Sequence, residues 1–535
     1  MNWLTQPATP EPKTEPAELS LDNPVPPPSD DMEPSLRPIR KQDFGYEQAR
    51  HLLWRAGLGG SEQQIRLLVS WGPEKSVEYL LNPDKVEYPW PKDDAFDKNI
   101  MHPPTAEERE MYRKAQRAQD EDTLAEVRAE RQRREQEDRR QMRDVQKWWL
   151  KRLIETPRPL EEKMTLFWHG LFATNYRSIE NSYHMFQQNQ LFRKHSLGSY
   201  AELLRGIIRD PAMLAYLNNN QSKKDKPNEN LAREIMELFS LGVGNYTERD
   251  IKEGARALTG YTFEDDGFVF EKKNHDTGVK TILTNTGPLD GDGFVKAILA
   301  QSACPKYITR RLYSYFVSDV PPDERGGDKE LPSAQRKVLQ QLAYAFGESR
   351  YQVKPLLRKL FLSEHFYEAR FMNDQIKSPV MLAVGAVRSL NAPVRDLTIV
   401  SDALDLMGQN IFYPPSVKGW DGGRSWINTS TLFVRQNTLA FFLSGKKPQG
   451  YDSSADTQKY DVTKLLDNAD GESLIAKGDV PGVADAMLRL TLGWTPKAGR
   501  DALLEFVKSN GGRLDERVLM GMLLVVTAMP EYQLC

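Results

Sequence analysis

The 535-residue chain carries 72 basic and 75 acidic residues, for a formal charge of −3. That balance excludes the basic footprint expected of a nucleic-acid-binding protein, and the length predicts more than one structural unit. Two cysteines, Cys304 and Cys535, are too few for a disulfide framework and favour a reduced compartment.

Residues 1–40 contain ten prolines and little apolar content, so a disordered tail is expected there. The opening MNWLTQPATPEPK lacks the apolar core of a signal peptide and a twin arginine. The longest apolar run, Met520–Met529, is core-sized and too short to span a bilayer. These features predict a soluble cytoplasmic protein, with export alongside a partner as the alternative.

Folding starts near Tyr46 with a short helix ending in GLGG (57–60). Residues 105–147 then hold 24 charged side chains among 43, 12 of each sign. Pairs such as Glu110–Lys114, Glu130–Arg134 and Glu135–Arg139 have the i, i+4 spacing of a solvated helix, and apolar positions are too sparse for a coiled-coil seam. The segment reads as a long charged helix, either a strut or a docking arm, continuing through Trp148 and Trp149 toward Ile154. Leu160–Ala173 is apolar nearly all round and predicts a buried helix. His169 lies on it, opposite the stripe of Leu160, Met164, Phe167 and Leu171, as a satisfied core histidine or a ligand. Further helices are expected over Ile179–Leu197 and Tyr200–Ile208.

The segment 228–241 concentrates the most chemistry. On a helix at 100° per residue, Leu231, Ile235 and Leu238 form the core stripe, while Asn230, Glu234 and Glu237 line one flank. Like charges at i, i+3 repel and call for a cation. Arg233, at i+4 from Glu229 and i−4 from Glu237, can supply part of it. Two readings stand: an ion-pair network that locks the helix, or a carboxylate pair holding a metal or a substrate cation. Gly242 is placed to end the helix, and Thr247 with Asp250 is a capping-box variant opening the next.

After Gly260 the pattern turns to strands. YTFE (261–264) and VFEKK (269–273) flank Asp266-Gly267, a hairpin signal, and a second turn leads to VKTIL (279–283). That turn carries His275, Asp276 and Lys280: a base, a carboxylate and a cation within six residues. GPLDGDGF (287–294) lacks the acidic positions of a calcium-binding EF-hand loop and reads as a turn feeding a helix. Helices follow over Tyr307–Val317, Ala334–Phe346, Val353–Leu362 and Val380–Leu390. The loop PPSVKGWDGGRSWINTS (414–430) then offers Trp420, Asp421, Arg424, Trp426 and Asn428, which could stack on and hydrogen-bond a sugar-like ligand or plug a groove between helices. The expected architecture is mostly α: a multi-helical body (41–440) with a small β-hairpin insertion (261–285) and one long charged helix. A linker (441–482) and a C-terminal helical unit (483–535) follow.

No G-x-S-x-G elbow, H-E-x-x-H, C-x-x-C or P-loop occurs in the chain. The segments HLLWRAGLGG (51–60), EKMTLFWHGLFATN (162–175), PNENLAREIMELFSLG (227–242), DIKEGARALTGY (250–261), HDTGVK (275–280) and PPSVKGWDGGRSWI (414–427) resemble the bacterial domain-of-unknown-function family 1800. The resemblance implies a mostly helical protein of uncharacterised biochemistry. It also implies a partner, since members are often encoded beside family 1501 proteins, which resemble alkaline phosphatases and sulfatases. Many relatives carry a second histidine two residues after the Trp-His step. Leu171 stands there in this chain, which counts against a two-histidine metal site at that spot.

Two functions are therefore expected. The first is a binding or scaffold protein beside a sulfatase-like partner. The second is a hydrolase whose pocket gathers Glu234, Glu237, His169, His275 and Asp276 as candidate catalytic groups, with or without a divalent metal. Asn230, Arg233, Lys280 and the 414–430 side chains are the candidate ligand contacts.

Overall fold

The computed structural model describes residues 36–85, isolated positions between 107 and 117, and 121–264, 266–320, 331–451, 458–466 and 471–535. The expected tail over 1–40 falls almost entirely outside them, as does most of the charged segment before Glu121. The described chain is mostly helical, with two separate two-stranded antiparallel sheets. No helix among the described residues is long and apolar enough to cross a membrane.

Helix starts follow local chemistry throughout. Ser61, Asn181, Ser199, Asp210, Ser378 and Asp515 each accept a backbone N–H of the first turn, which satisfies donors that the helix itself leaves unpaired. Asp290 caps the helix Gly291–Leu299 in the same way, accepting from the Gly293 N–H at 3.0 Å. The helix expected from Tyr307 begins earlier, at Ala303, because a proline such as Pro305 is tolerated within a first turn. The predicted run from Ile179 is interrupted. A short turn, Tyr176–Ile179, is followed by Glu180 at φ 48° and a new helix, Ser182–Lys194.

The charged helix runs continuously over Glu121–Glu155. Glu135–Arg139 pairs at 3.9 Å on its exposed side. Its last turns bury Met142, Val145, Trp149, Leu150 and Leu153, so the helix is a core element there, while the described side chains from Ala129 to Arg140 are mostly exposed. Where it docks, Glu162 is fully buried, accepting from Trp149 Nε1 at 2.9 Å, from Arg193 at 2.6 and 3.0 Å, and from Arg152 Nε. Burial alone would raise this carboxyl. The two guanidiniums outweigh it and hold the group below the usual carboxylate range.

Strands β1 (Tyr261–Glu264) and β2 (Gly267–Phe270) pair from Tyr261↔Phe270 to Glu264↔Gly267. Strands β3 (Lys280–Ile282) and β4 (Asn285–Gly287) form a second hairpin. The helix Glu248–Ala257 anchors that hairpin, with Asp250 accepting from the Leu283 N–H at 2.6 Å and Glu253 from the Thr281 N–H at 3.1 Å. Toward the C-terminus, the helices Val480–Leu492, Lys497–Ser509 and Glu516–Ala528 contribute to the same apolar cluster as the first helices. Residues 533–535 lie against 375–377, with the Cys535 N–H donating to Gln375 O at 2.9 Å and Lys377 N–H to Gln533 O at 2.8 Å.

Candidate functional site

The expected single helix over 228–241 is two structures: an α-turn, Asn230–Glu234, and a π-turn, Ile235–Ser240. Leu231 and Ile235 are buried as predicted, but the stripe continues at Phe239 instead of Leu238, which is half-buried. The wider i→i+5 turn inserts one residue into the helical repeat and shifts the face by one position. The Leu241 N–H reaches back to Met236 O at 2.9 Å, and Ser240 Oγ donates to Ile235 O at 2.5 Å. Tyr307 and Tyr200 donate their hydroxyls to the carbonyls of Leu238 and Phe239, both at 2.6 Å. Those bonds satisfy the end of the π-turn, and a π-turn held this way is often a mark of a functional position. Gly242 then ends the element at φ 80°, where an added Cβ would meet the Tyr307 ring at 2.9 Å.

On this turn Glu234 and Glu237 are half-buried neighbours. Glu237 accepts from the Tyr246 hydroxyl at 2.5 Å. Glu234 has no hydrogen bond or ion pair among the described residues. Burial, and then the charge of Glu237, push its carboxyl above the ordinary range, while Arg233 and Lys418 pull it back. The predicted bridge from Arg233 to Glu237 is not made. Arg233 turns instead to Glu248, at 2.8 and 2.9 Å, and to Glu229 at 3.3 Å, because the helix from Thr247 brings a better-placed carboxylate across. That helix opens with the expected capping box, Thr247 N–H to Asp250 at 2.8 Å and Asp250 N–H to Thr247 Oγ1 at 3.3 Å.

Lys418 acts on Glu234 through its charge alone, from the 414–430 loop, which is laid along the buried helix Pro159–Leu171 and its exit. Phe412 N–H donates to His169 Nε2 at 2.9 Å, Asn175 Nδ2 donates to Pro414 O at 2.8 Å, and Tyr176 N–H donates to Phe412 O at 3.0 Å. Gly419 sits at φ 78° with its α-carbon against Gly170, where any Cβ would fall 2.2 Å from the Gly170 carbonyl oxygen. Trp420 packs edge-on to the His169 ring at 5.5 Å. The loop therefore packs on the Pro159–Leu171 helix through Gly419 and Trp420, and the charge of Lys418 is felt at Glu234.

The remaining candidates are placed elsewhere. His169 is buried, its Nε2 accepts the Phe412 N–H, and burial pushes its pKa down to about 3, so the ring is neutral at ordinary pH. His275 Nδ1 donates to Thr259 O at 2.9 Å, and the ring packs edge-on against Phe270. Asp276 pairs with Arg256 at 2.7 and 3.2 Å, and this guanidinium holds its carboxyl below the usual range. Lys280 is buried and donates to the Asp276 and Gly278 carbonyls. These three groups brace the second hairpin, and among the described residues they share no contact with Glu234, Glu237 or His169. Trp426 is buried, Asn428 caps the helix Thr429–Ser444 by accepting from Thr431 N–H at 2.9 Å, and Asp421, Arg424 and Asn230 are exposed. Among the described residues, no group of three or more His, Cys, Asp or Glu side chains is arranged to hold a metal ion. Sequence reasoning passed over Lys418 and Tyr246. Lys418 was visible only as part of the PPSVKGW motif, since its approach to Glu234 depends on the loop's path.

The fold and this turn define a mostly helical protein with a half-buried carboxylate pair on a π-turn. The chain belongs to the family described as protein of unknown function DUF1800, whose model matches residues 51–534. No curated protein and no solved structure matches it.

Proposed function

We propose that this is a binding protein that uses the Glu234–Glu237 pair to hold a cationic or hydroxyl-bearing group of a ligand. In this reading it works beside a family 1501 sulfatase-like protein, in the cytoplasm or exported with that partner. The observation that carries the proposal is Glu234: a half-buried carboxylate next to a second carboxylate, without a hydrogen-bond or ion-pair partner among the described residues. A carboxylate kept so at a cost in desolvation and repulsion suits a ligand that supplies the missing donor. The charge of Lys418 at Glu234 supports the reading, as do the positions of His169, bonded to the Phe412 N–H, and His275, bonded to the Thr259 carbonyl, away from the two carboxylates. Co-purification of the full chain with a tagged family 1501 protein tests the partnership. Pull-down that survives in the parent and fails for Glu234→Gln supports the pair as the contact, and absence of association refutes the partnership.

A second reading rests on the raised carboxyl of Glu234, which is the property of a general acid or base in hydrolysis. Elemental analysis and chelation of the purified protein address its metal-dependent form. A stoichiometric divalent metal lost on Glu237→Ala favours that form.

A further inference from the structure

A cleft lies apart from the Glu234–Glu237 turn, where the charged helix Glu121–Glu155 docks between the Tyr176–Ile179 turn, the helix Leu397–Leu406 and the 410–413 loop. It encloses about 540 Å³, within the range of small-molecule sites. Its wall is rich in hydroxyl and amide groups, among them Tyr176, Tyr413, Ser401 and Asn410. Two of its acidic members are already engaged. Asp138 accepts from Tyr176 Oη at 2.6 Å and from Ser182 N–H at 2.8 Å, and Asp402 accepts from Tyr451 Oη at 2.6 Å.

The arginines of the cleft are different. Arg177 stands over the Tyr413 ring at 5.6 Å, and Arg143 also acts on that phenol. Neither guanidinium has a hydrogen-bond or ion-pair partner among the described residues. Arg139, by contrast, is paired with Glu135 at 3.9 Å and Lys147 with Asp144 at 2.8 Å. Arg143 and Arg177 both act on one half-buried phenol, which also feels the Asp138 and Asp405 carboxylates, and two guanidiniums without an ion pair of their own among the described residues can form a fork for a planar or tetrahedral anion. Asp405 and Glu180, which also line the cleft and have no side-chain partner among the described residues, are acceptors for ligand hydroxyls. A ligand that satisfies both sets carries one acidic group on a polyhydroxylated frame.

We propose that this cleft binds an acidic carbohydrate, with Arg143 and Arg177 on the acid group, Tyr413 between them, and Asp405 and Glu180 on sugar hydroxyls. The proposal is independent of the Glu234–Glu237 pair, because neither carboxylate lines the cleft.

Calorimetric titration of the full chain with digalacturonate, a sulfated lactose and neutral lactose tests it. At least one acidic disaccharide is expected to bind about tenfold or more tighter than lactose. That preference is expected to weaken about tenfold in Arg143→Met and in Arg177→Met, the loss of one charge-assisted contact. Comparison of the two acidic sugars distinguishes a carboxylate from a sulfate ester as the source of the charge. Both arginines are exposed, so these variants should melt like the parent, and the titration then reports the site and not folding. Glu234→Gln should leave acidic-sugar binding unchanged, which separates failure of this proposal from failure of the Glu234 reading. Equal binding of lactose, no binding of either acidic disaccharide, or undiminished affinity in the Arg143→Met/Arg177→Met double variant would overturn the inference.

Discussion

Replacing Glu with Gln removes the same charge at Glu234 and at Glu162, yet the structure forecasts opposite outcomes. Glu162 is fully buried and accepts from Trp149, Arg152 and Arg193, so Glu162→Gln leaves two guanidiniums under-matched in the core. Breaking a buried ion pair costs about 3–5 kcal/mol. At about 2 °C per kcal/mol for a large chain, that is a fall in Tm of about 6–10 °C. Glu234 has no ion pair to lose. Its folded pKa is raised by burial and by Glu237, so the folded state holds this proton more tightly than the unfolded chain does. Stability from this group is present at acidic pH and lost as pH rises through the folded pKa. Glu234→Gln removes that loss and the repulsion with Glu237, which is about 0.2–0.5 kcal/mol for like charges at this spacing on an exposed helix. The expected result is a Tm at pH 7 equal to or slightly above the parent's, with the difference vanishing near pH 4. Scanning calorimetry of both variants at the two pH values decides it. A Tm several degrees below the parent for Glu234→Gln would show that Glu234 holds the packing and refute the binding reading.

Four further substitutions probe the same physical reasoning. Asp210 caps the helix Pro211–Tyr216, and burial pushes its carboxyl up to about 7. The raised folded pKa means stability is lost as pH climbs from about 4 to about 7, by about 4 kcal/mol for a three-unit shift. Asp210→Asn should therefore gain on the parent between pH 5 and pH 8 in denaturant melts, and an unchanged difference between those pH values would contradict it. Lys377 is buried between the rings of Trp54 and Tyr532 at 4.1 and 4.2 Å, with its pKa pushed down to about 7 by burial. A lowered lysine binds fewer protons in the folded state, so the parent's stability should rise between pH 7 and pH 10. Lys377→Met should lessen that rise, with Lys163, also pushed down to about 7 by burial, supplying the remainder, and a slope undiminished from the parent's would contradict the assignment to Lys377. Gly419→Ala combines a left-handed φ with a contact of 2.2 Å to Gly170 O and should cost about 2–4 kcal/mol. Gly450→Ala, with φ 99° and nothing within 4 Å, isolates the backbone part, and equal Tm losses for the two alanines would mean that the loop does not press on Gly170.

The sequence made legible those features that depend on neighbours along the chain. Thr247 and Asp250 are three residues apart and form the box that their spacing predicts. Asp266-Gly267 closes the first hairpin in the register from Tyr261↔Phe270 to Glu264↔Gly267. The apolar circumference of Leu160–Leu171 becomes a buried helix, with His169 inside it as one of the two expected outcomes. What stayed illegible depends on groups brought together from far away. The π-turn has no signature in residues 235–240 alone. Its carbonyls are satisfied by Tyr200 and Tyr307, 39 and 69 residues away, and only those partners make the wider turn affordable in polar terms. The choice of Arg233 between Glu237 and Glu248 was likewise fixed by the docking of a second helix.

The same distinction explains why the paired carboxylates separate into structural and functional candidates only after folding. Glu234 and Glu162 are both carboxylates on helices beside buried apolar residues. Folding supplies Glu162 with two arginines and an indole N–H, which makes it a closed centre that joins three helices. It supplies Glu234 only with distant cations, Arg233 committed to Glu248 and Lys418 exposed on a loop. A carboxylate whose cations are already committed or wet remains open to an incoming donor. That openness, more than the presence of acidic residues, is what singles out the π-turn as the proposed ligand contact.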